Sequence, residues 1–175
     1  MNFSPFPTLI TKRLILRRIT LEDWEVISYL RSDNIVNQFV KRPAATTKDE
    51  ASAFIDLILQ RIKKGEIIYW GISLKEDTSM IGSISLHSFS EDKKTGEVGY
   101  DLHTKFQKMG IMNEAIEAVL KYGFYSLNLD IIEGFTQKNN ENSIKMLQRN
   151  RFILNEAKID EGNPLNLIFQ RNRSF

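Results

Sequence analysis

Three β-rich runs in the middle of the chain limit its possible folds more than any other feature. They read EIIYWGISL, SMIGSISLHSF and GEVGYDLH, and the turn-like segments KEDTS and SEDKKTG separate them. β-Branched and aromatic residues favour strands, and short polar connections join neighbouring strands that run antiparallel. The pattern therefore predicts an antiparallel meander at the centre of a sheet.

A strand–loop–helix–strand unit follows from Gly96 to Gln137. Its helix is indicated by apolar residues at positions 112, 115, 116 and 119, which have the spacing i, i+3, i+4 and i+7 and predict a helix to about Leu127. The segment DIIEGFTQ then predicts the next strand. Such a unit can form a parallel crossover, in which the helix lies against the sheet.

The rest of the chain supplies further strands and helices. On the N-terminal side, TKRLILRRI predicts a strand, TLEDWEVISYLRS a helix capped by Thr20, and Thr47 to Lys64 a second helix that Gly65 ends. On the C-terminal side, ENSIKMLQRN predicts a short helix, and FILNEAKI and LNLIFQR predict two strands joined by DEGNP. The predicted fold class is α/β (α+β), with a mixed, mostly antiparallel sheet of about seven strands and helices on both faces.

Composition excludes several classes of protein. With 175 residues and 42% apolar content, the chain can bury one sizeable core, so we expect a single domain over residues 1–175. A formal charge of +2 without a long basic run argues against a nucleic-acid surface. The absence of cysteine and the presence of two histidines leave little for a metal site. No apolar run is long enough to span a bilayer and the N-terminus lacks a signal-peptide pattern, so we expect a cytoplasmic protein without a membrane partner.

The loop TKFQKMGIMNEA leads into the N-terminus of the predicted helix. The first N–H groups of a helix have no intrahelical partners, so they can bind an anion. Gly110 allows close approach of a ligand or a positive φ, and Lys105 and Lys108 add positive charge. A pyrophosphate would suit such a loop. An ordinary loop in which the glycine only makes the bend explains the same residues.

The chain resembles the GNAT N-acetyltransferase superfamily, and most closely its RimJ/RimL-like branch, which acetylates protein N-termini. The segments that carry the resemblance are TKRLILRRITLEDW, WGISLKEDTSMIGSISL, GEVGYDLHTKFQKMGIMNEAIEAVLKYGF and NNENSIKMLQRNRF, in this order and nearly end to end. The resemblance implies that acetyl-CoA is the cosubstrate and that two parallel strands, EVGYDL and IIEGF, splay apart to admit its pantetheine arm. It also implies direct attack by a primary amine in a ternary complex.

The same resemblance implies which residues bind acetyl-CoA. Gln107, Gly110 and Met112 occupy the marked positions of the family's Q/R-x-x-G-x-G/A loop, although Met112 departs from Gly or Ala. Lys108 stands where members of the branch often have a further glycine. The implied cofactor-binding residues are Val98, Gly99, Tyr100, Gln107, Lys108, Met109, Gly110, Ile111, Met112, Asn140 and Ser143.

Glu97 is the predicted catalytic base. Attack on a thioester requires a neutral amine, and strand alternation puts Glu97, Gly99 and Asp101 on one face. We expect Glu97→Gln to lower turnover most at low pH, where the amine is most protonated. Alternatively, Glu97 is a half-buried strand residue paired with a cation. His87, at the end of the preceding strand, is a second candidate base or a structural histidine.

The NNENS segment holds the other predicted catalytic residue. By resemblance to the family's N-x-x-S motif, Asn140 would bind the pantetheine arm and Ser143 would face the sulfur as donor or acid. Asn140 can equally act as a helix N-cap. Many superfamily members have a tyrosine acid one turn further on, where this chain has Leu147.

A second glycine of the branch is replaced near the end of that helix. Arg151 stands at the glycine of K-L-G-F. If the backbone there has a positive φ, arginine costs on the order of a kcal/mol, unless Asn150 takes over the cap. This loss and that at Lys108 make a non-catalytic acetyl-CoA-binding protein one alternative.

The acceptor is the least specified part. A protein N-terminal α-amine is favoured by the branch, and a polyamine, antibiotic or metabolite amine is the alternative. An interaction domain without cofactor is a third possibility. The segment VKRPAATTKDE, and Asp160 with Glu161, are candidates to line the acceptor site, and a solvated polar loop explains the same residues, so no residue is assigned to it. The chain is expected to be a monomer or a homodimer.

Overall fold

A computed structural model of the chain describes residues 1–173. Its strands are β1 (Leu9–Ile10), β2 (Leu14–Arg18), β3 (Ile68–Leu74), β4 (Met80–His87), β5 (Thr95–Leu102), β6 (Ile131–Gln137), β7 (Ile153–Leu154) and β8 (Asn166–Asn172). Its α-helices are α1 (Trp24–Ser32), α2 (Lys48–Lys63), α3 (Ile111–Lys121) and α4 (Glu141–Arg149). Within these residues, no helix has both the length and the apolar character needed to cross a membrane.

The strands form one eight-stranded sheet in the order β1-β2-β3-β4-β5-β6-β8-β7. All neighbours are antiparallel except β5 and β6, which are parallel. The predicted meander is β3–β4–β5, and the predicted crossover runs from β5 through α3 to β6. The mixed, mostly antiparallel sheet is thus confirmed. It has eight strands rather than about seven because two residues of the N-terminal segment pair with β2 as β1.

Helices cover both faces of the sheet, as neighbouring residues of β3 show. Tyr69 packs edge-on against Phe54 of α2, with ring centroids 6.2 Å apart. Trp70 points to the opposite face and meets Tyr122, which follows α3, at 5.5 Å. Successive side chains of a strand point to opposite faces, so α2 and α3 lie on opposite sides.

Helix α3 continues as a π-helical turn, Tyr122–Ser126, which reaches the predicted end of the helix. Gly123 in this turn lies directly on the sheet: a Cβ there would come within 2.7 Å of Ile132 Cδ1 of β6. The crossover helix is therefore in close contact with the strand that it leads to.

The prediction of a long strand over FILNEAKI is wrong beyond Leu154. The Asn155 side chain accepts a hydrogen bond from Ala157 N at 3.1 Å and turns the backbone away from the sheet. Asparagine competes for backbone hydrogen bonds in this way and favours turns over strands. The segment from 155 to 165 is therefore a loop, and its Lys158 binds Glu133 of β6 at 2.6 Å.

Candidate active site

The parallel pair β5–β6 separates after three residue pairs. The pairing is Thr95 with Ile131, Gly96 with Ile132 and Glu97 with Glu133. Beyond this point β5 stays paired with β4 as far as Leu102, and β6 stays paired with β8 as far as Gln137. The inner edges of both strands therefore face a gap, which confirms the predicted splay. A cavity of about 1120 Å³ occupies it, lined by Glu97 from one face of the sheet and Tyr100 from the other.

The predicted anion-binding loop borders this cavity. Lys108 and Gly110 both have left-handed backbones, with φ of 61° and 75°. Gly110 is the N-cap of α3, and the first hydrogen bond of the helix runs from Glu114 N to Gly110 O at 3.2 Å. The amides before Glu114 thus lack intrahelical acceptors and can bind an anion. A Cβ on Gly110 would meet only Arg13 Nη2, at 3.5 Å, so the space above the glycine is open.

The other predicted loop residues have different surroundings. Gln107 donates from Nε2 to Leu102 O at 3.1 Å, so its side chain holds the loop to the end of β5. Ile111 and Met112 are buried in the core, which leaves their backbone amides as their contribution to an anion site. Lys108 and Met109 are exposed.

Arg13 and Glu114 fix the loop from the side, and the sequence analysis did not identify them. Arg13 Nη1 donates to Met109 O at 3.0 Å, and its Nε donates to Glu114 Oε2 at 2.7 Å. Glu114 Oε1 also accepts from Thr11 Oγ1 at 2.6 Å. These contacts tie the start of α3 to the connection between β1 and β2.

Glu97 lies on the cavity wall at the point where the strands part. The pKa of the Glu97 carboxyl is raised to about 7, chiefly by burial; a hydrogen bond from Ser88 opposes this rise, and the carboxylates of Asp160 and Glu133 add to it. Among the described residues, no Lys or Arg pairs with Glu97. The one basic side chain within 4.0 Å is His87, whose Nδ1 is 3.8 Å from Glu97 Oε2. Burial, together with the charge of Arg61, lowers the pKa of His87 to about 4. His87 is therefore neutral at pH 7, and the close approach is not an ion pair.

Ser143 and Asn140 lie at the start of α4, on the other side of the gap. Asn140 Oδ1 accepts from Ser143 N at 3.2 Å, so Asn140 is the helix N-cap. The Ser143 hydroxyl is 2.8 Å from the Tyr100 hydroxyl. Burial raises the pKa of Tyr100 to about 12. The family resemblance implies that Tyr100 borders the pantetheine arm, but this hydrogen bond was not predicted.

Leu147 stands at the position where other superfamily members have a tyrosine, and in this chain it is part of the core. Its side chain is fully buried, and it fills the space over Gly134 of β6, where a Cβ would come within 2.7 Å of Leu147 Cδ2. No proton donor stands at this position.

The backbone of Arg151 is left-handed, with φ of 62°. The energetic cost expected for an arginine with a positive φ therefore applies. Asn150 has φ of −85° and does not take the left-handed position. Its side chain instead donates to Met146 O and to Asn113 Oδ1, both at 2.9 Å, and so ties the end of α4 to α3.

The face of the sheet that carries Glu97, Gly99 and Asp101 is called the Glu97 face below. Asp101 is held there by two hydrogen bonds from Arg42, at 2.7 and 3.0 Å. The carboxylate of Asp160, one candidate for the acceptor site, accepts from Gly162 N and from Asn166 Nδ2 and closes the turn before β8. Among the described residues, no three His, Cys, Asp or Glu side chains are placed to share a metal ion.

Comparison with known proteins identifies the family. The model of the acetyltransferase (GNAT) domain matches residues 13–153. The uncharacterized N-acetyltransferase p20 of Bacillus licheniformis is 33% identical over 140 residues, which cover 80% of this chain and 79% of that protein. The uncharacterized N-acetyltransferase YoaA of Bacillus subtilis is 29% identical over 163 residues, which cover 91% and 92%.

Solved structures share the fold over nearly the whole chain. A putative ribosomal-protein-serine acetyltransferase from Vibrio cholerae superposes with a TM-score of 0.82 at 22% identity, covering 99% of this chain and 100% of that one. RimL, a ribosomal L7/L12 alpha-N-protein acetyltransferase in complex with coenzyme A, superposes with a TM-score of 0.81 at 19% identity, covering 95% and 98%.

Proposed function

Because the chain belongs to the GNAT acetyltransferase family and is an N-acetyltransferase, we propose that it moves the acetyl group of acetyl-CoA to a protein N-terminal α-amine by direct attack in a ternary complex. One observation carries this proposal. The gap between β5 and β6 has an anion-binding loop on one side and a carboxyl with a pKa of about 7 at its inner end.

The residues around the gap fit acetyl-CoA. The loop from Lys108 to Gly110 and the first amides of α3 would bind its phosphates. The unpaired edges of β5 and β6 offer backbone groups to the amides of the pantetheine arm. Thr136 Oγ1, on β6, is buried without a hydrogen-bond partner among the described residues and can serve the same arm. Bound acetyl-CoA would supply an acetyl thioester, the activated group of the reaction.

Glu97 would remove the proton of the attacking amine. An α-amine has a pKa of about 7.7–8.0, whereas a lysine side chain has one of about 10.4. Only the neutral form of an amine attacks, and near pH 7 to 8 an α-amine is neutral in a much larger fraction than an alkylamine. Glu97, ionised above its pKa of about 7, would accept the proton that the neutral amine loses as it attacks. This favours a protein N-terminus over a lysine or a polyamine.

Ser143 would serve the leaving sulfur. Ser143, at the start of α4, is 9% exposed, and its hydroxyl is held by the Tyr100 hydroxyl. A serine is a weak acid, and Tyr100 is a weaker one than an ordinary tyrosine because its pKa is raised. The Ser143 Oγ would therefore donate a hydrogen bond to the departing thiolate, which leaves without first being protonated.

The names of several similar proteins also favour a protein acceptor. Two of the structures that share the fold are named as acetyltransferases of ribosomal proteins. YdaF of Bacillus subtilis, 31% identical over 86 residues that cover 49% of this chain and 46% of that protein, is named as a putative ribosomal N-acetyltransferase.

Calorimetric titration with acetyl-CoA, followed by assays of CoA release with peptides, lysine and polyamines, tests the proposal. Binding together with release by peptides is the expected result. Binding without release by any amine would support a non-catalytic acetyl-CoA-binding protein instead. Absence of binding at high acetyl-CoA concentration would overturn the site.

The variant Gly110→Val tests the loop in the same titration. A β-branched side chain is strained at φ of 75°, and it would occupy the open space above the glycine. We expect affinity for acetyl-CoA to fall at least about tenfold, since contacts with the diphosphate are lost. Pantetheine, which lacks the diphosphate, should bind both proteins equally. Unchanged affinity for acetyl-CoA would remove the phosphate-binding role of the loop.

A further inference from the structure

We propose that the acceptor peptide carries an acidic side chain at its second, third or fourth residue and that Arg31 binds this carboxylate. The inference rests on the proposed function, because it assumes a peptide amine beside Glu97. It adds a specificity-determining residue and the chemical class of the acceptor sequence.

Arg31 lies in the last turn of α1 and lines the cavity. Its guanidinium carbon is 4.0 Å from the centroid of the Phe54 ring of α2, which holds the planar group in place. Arg42 and Asp101 also line the cavity, and both interact electrostatically with Arg31. The guanidinium is thus fixed on the Glu97 face before any ligand binds.

The hydrogen-bonding capacity of Arg31 is mostly unused. Its Nη2 donates to Pro43 O at 2.8 Å. Its Nε is buried and has no hydrogen-bond partner. In residues 1–173, no carboxylate lies within 4.0 Å of the guanidinium. A buried donor of this kind is unfavourable until an acceptor reaches it.

Three other cations on the Glu97 face, Arg42, Arg61 and Lys158, have carboxylate partners. Arg42 binds Asp101 and also donates to Asn37 Oδ1 and Leu30 O. Arg61 pairs with Glu66 at 3.3 Å, and Lys158 pairs with Glu133 at 2.6 Å. Arg31 differs from them in having no carboxylate partner among the described residues. Burial, together with the neighbouring Arg42, also lowers the pKa of Arg31. An anion from a ligand would relieve both effects.

The position of Arg31 relative to Glu97 limits the acceptor. Glu97 and Asp101 are four residues apart on one face of β5, so their Cα atoms are about 13 Å apart. Arg31 interacts electrostatically with Asp101, so it lies towards the Asp101 end of this stretch of β5. In a free amino acid the carboxylate carbon is only two bonds from the amine nitrogen. Its carboxylate therefore cannot reach the Asp101 end while its amine lies beside Glu97. An extended peptide advances about 3.3–3.6 Å per residue, so an Asp or Glu at its second to fourth residue can.

Matched peptide pairs test the inference. Each pair has the same sequence except for Glu or Gln at position 2, 3 or 4, and kcat/KM is measured by CoA release. For at least one position we expect the Glu peptide to be preferred about 10- to 100-fold, the usual value of a hydrogen bond between charged groups. The variant Arg31→Gln should reduce this preference to near one, through KM, while its affinity for acetyl-CoA stays unchanged.

Lys41→Gln is the control, since it removes the same charge from an exposed position that also lines the cavity. It should keep the preference for Glu. Arg31→Lys retains the charge without the planar group and should give an intermediate preference, which provides a second test if Arg31→Gln does not fold.

The possible failures are distinguishable. If the wild-type protein acetylates Glu and Gln peptides equally at all three positions, the inference is overturned and the proposed function stands. Retention of the preference in Arg31→Gln would also overturn it. If no peptide is acetylated, the proposed function fails, and the inference fails with it.

Discussion

At the scale of single residues, the pKa of Glu97 changes what is expected of the catalytic base. A glutamate with an ordinary pKa would be ionised throughout the physiological range. Burial at the end of the β5–β6 ladder raises the pKa of Glu97 to about 7, so at low pH the side chain is protonated and cannot accept a proton. The expectation of the greatest loss at low pH for Glu97→Gln is therefore reversed.

The ratio of wild-type to Glu97→Gln kcat/KM should rise with pH through about 7. We expect the two proteins to converge towards pH 5 and to differ roughly 100-fold above pH 8, a typical value for general base catalysis. Ionisation of the amine affects both proteins and cancels in the ratio. His87→Gln is the control and should keep the wild-type profile. A ratio that does not depend on pH would show that Glu97 is not the base.

Arg151 offers a prediction on stability. A non-glycine residue in the left-handed region costs about 1 kcal/mol, and φ at Arg151 is 62°. Arg151→Gly should therefore raise the free energy of unfolding by about 0.5–1 kcal/mol, measured by urea denaturation. Gln148→Gly, inside α4, should lower it by about 1 kcal/mol. A loss of stability in Arg151→Gly would mean that contacts of the arginine outweigh its strained backbone.

At the scale of elements, β5 and α4 meet through the hydroxyls of Tyr100 and Ser143, 2.8 Å apart. Tyr100→Phe removes the group that orients Ser143 Oγ and should lower the single-turnover rate roughly three- to tenfold, as expected for one neutral hydrogen bond. Ser143→Ala should lower it further. The double variant should be no slower than Ser143→Ala, because Tyr100 acts through Ser143. Additive losses would assign Tyr100 a separate role.

Element boundaries show what the sequence could and could not predict. The meander and α3 were predicted correctly because each depends on a local pattern, alternation in the strands and 3.6-residue spacing in the helix. In the loop, a positive φ was predicted only at Gly110. The bond between Tyr100 and Ser143 spans 43 residues, and that between Arg13 and Glu114 spans 101. Such contacts have no local signal, since they depend on how the elements pack.

At the scale of the whole molecule, a partly buried ion pair on the Glu97 face joins segments that are distant in sequence. Arg42 and Asp101 are 59 residues apart in sequence, and their side chains are 20% and 14% exposed. The pair links the loop after α1 to the end of β5. It was not predicted, because Asp101 was identified only by its place on the strand.

Asp101→Asn should therefore destabilise the protein by about 2–4 kcal/mol, since it leaves a largely buried guanidinium without its carboxylate. Thermal and urea unfolding measure this effect. Asp130→Asn is the matched control: Asp130 is 51% exposed and 3.7 Å from Lys94, and its loss should cost less than about 1 kcal/mol. Equal effects of the two variants would show that the pair with Arg42 adds nothing beyond a surface contact.

The early end of the β5–β6 ladder leaves the sheet in two parts, β1–β5 and β6–β8, which share only three residue pairs. A ligand whose amides pair with both free edges would serve as the missing strand, so the sheet would be complete only with the proposed donor bound. The stability of the protein should then increase with the concentration of acetyl-CoA, by RT ln(1 + [L]/Kd). Unliganded molecules would be the first to open and be degraded, which would tie the amount of enzyme in the cell to the supply of CoA and its thioesters.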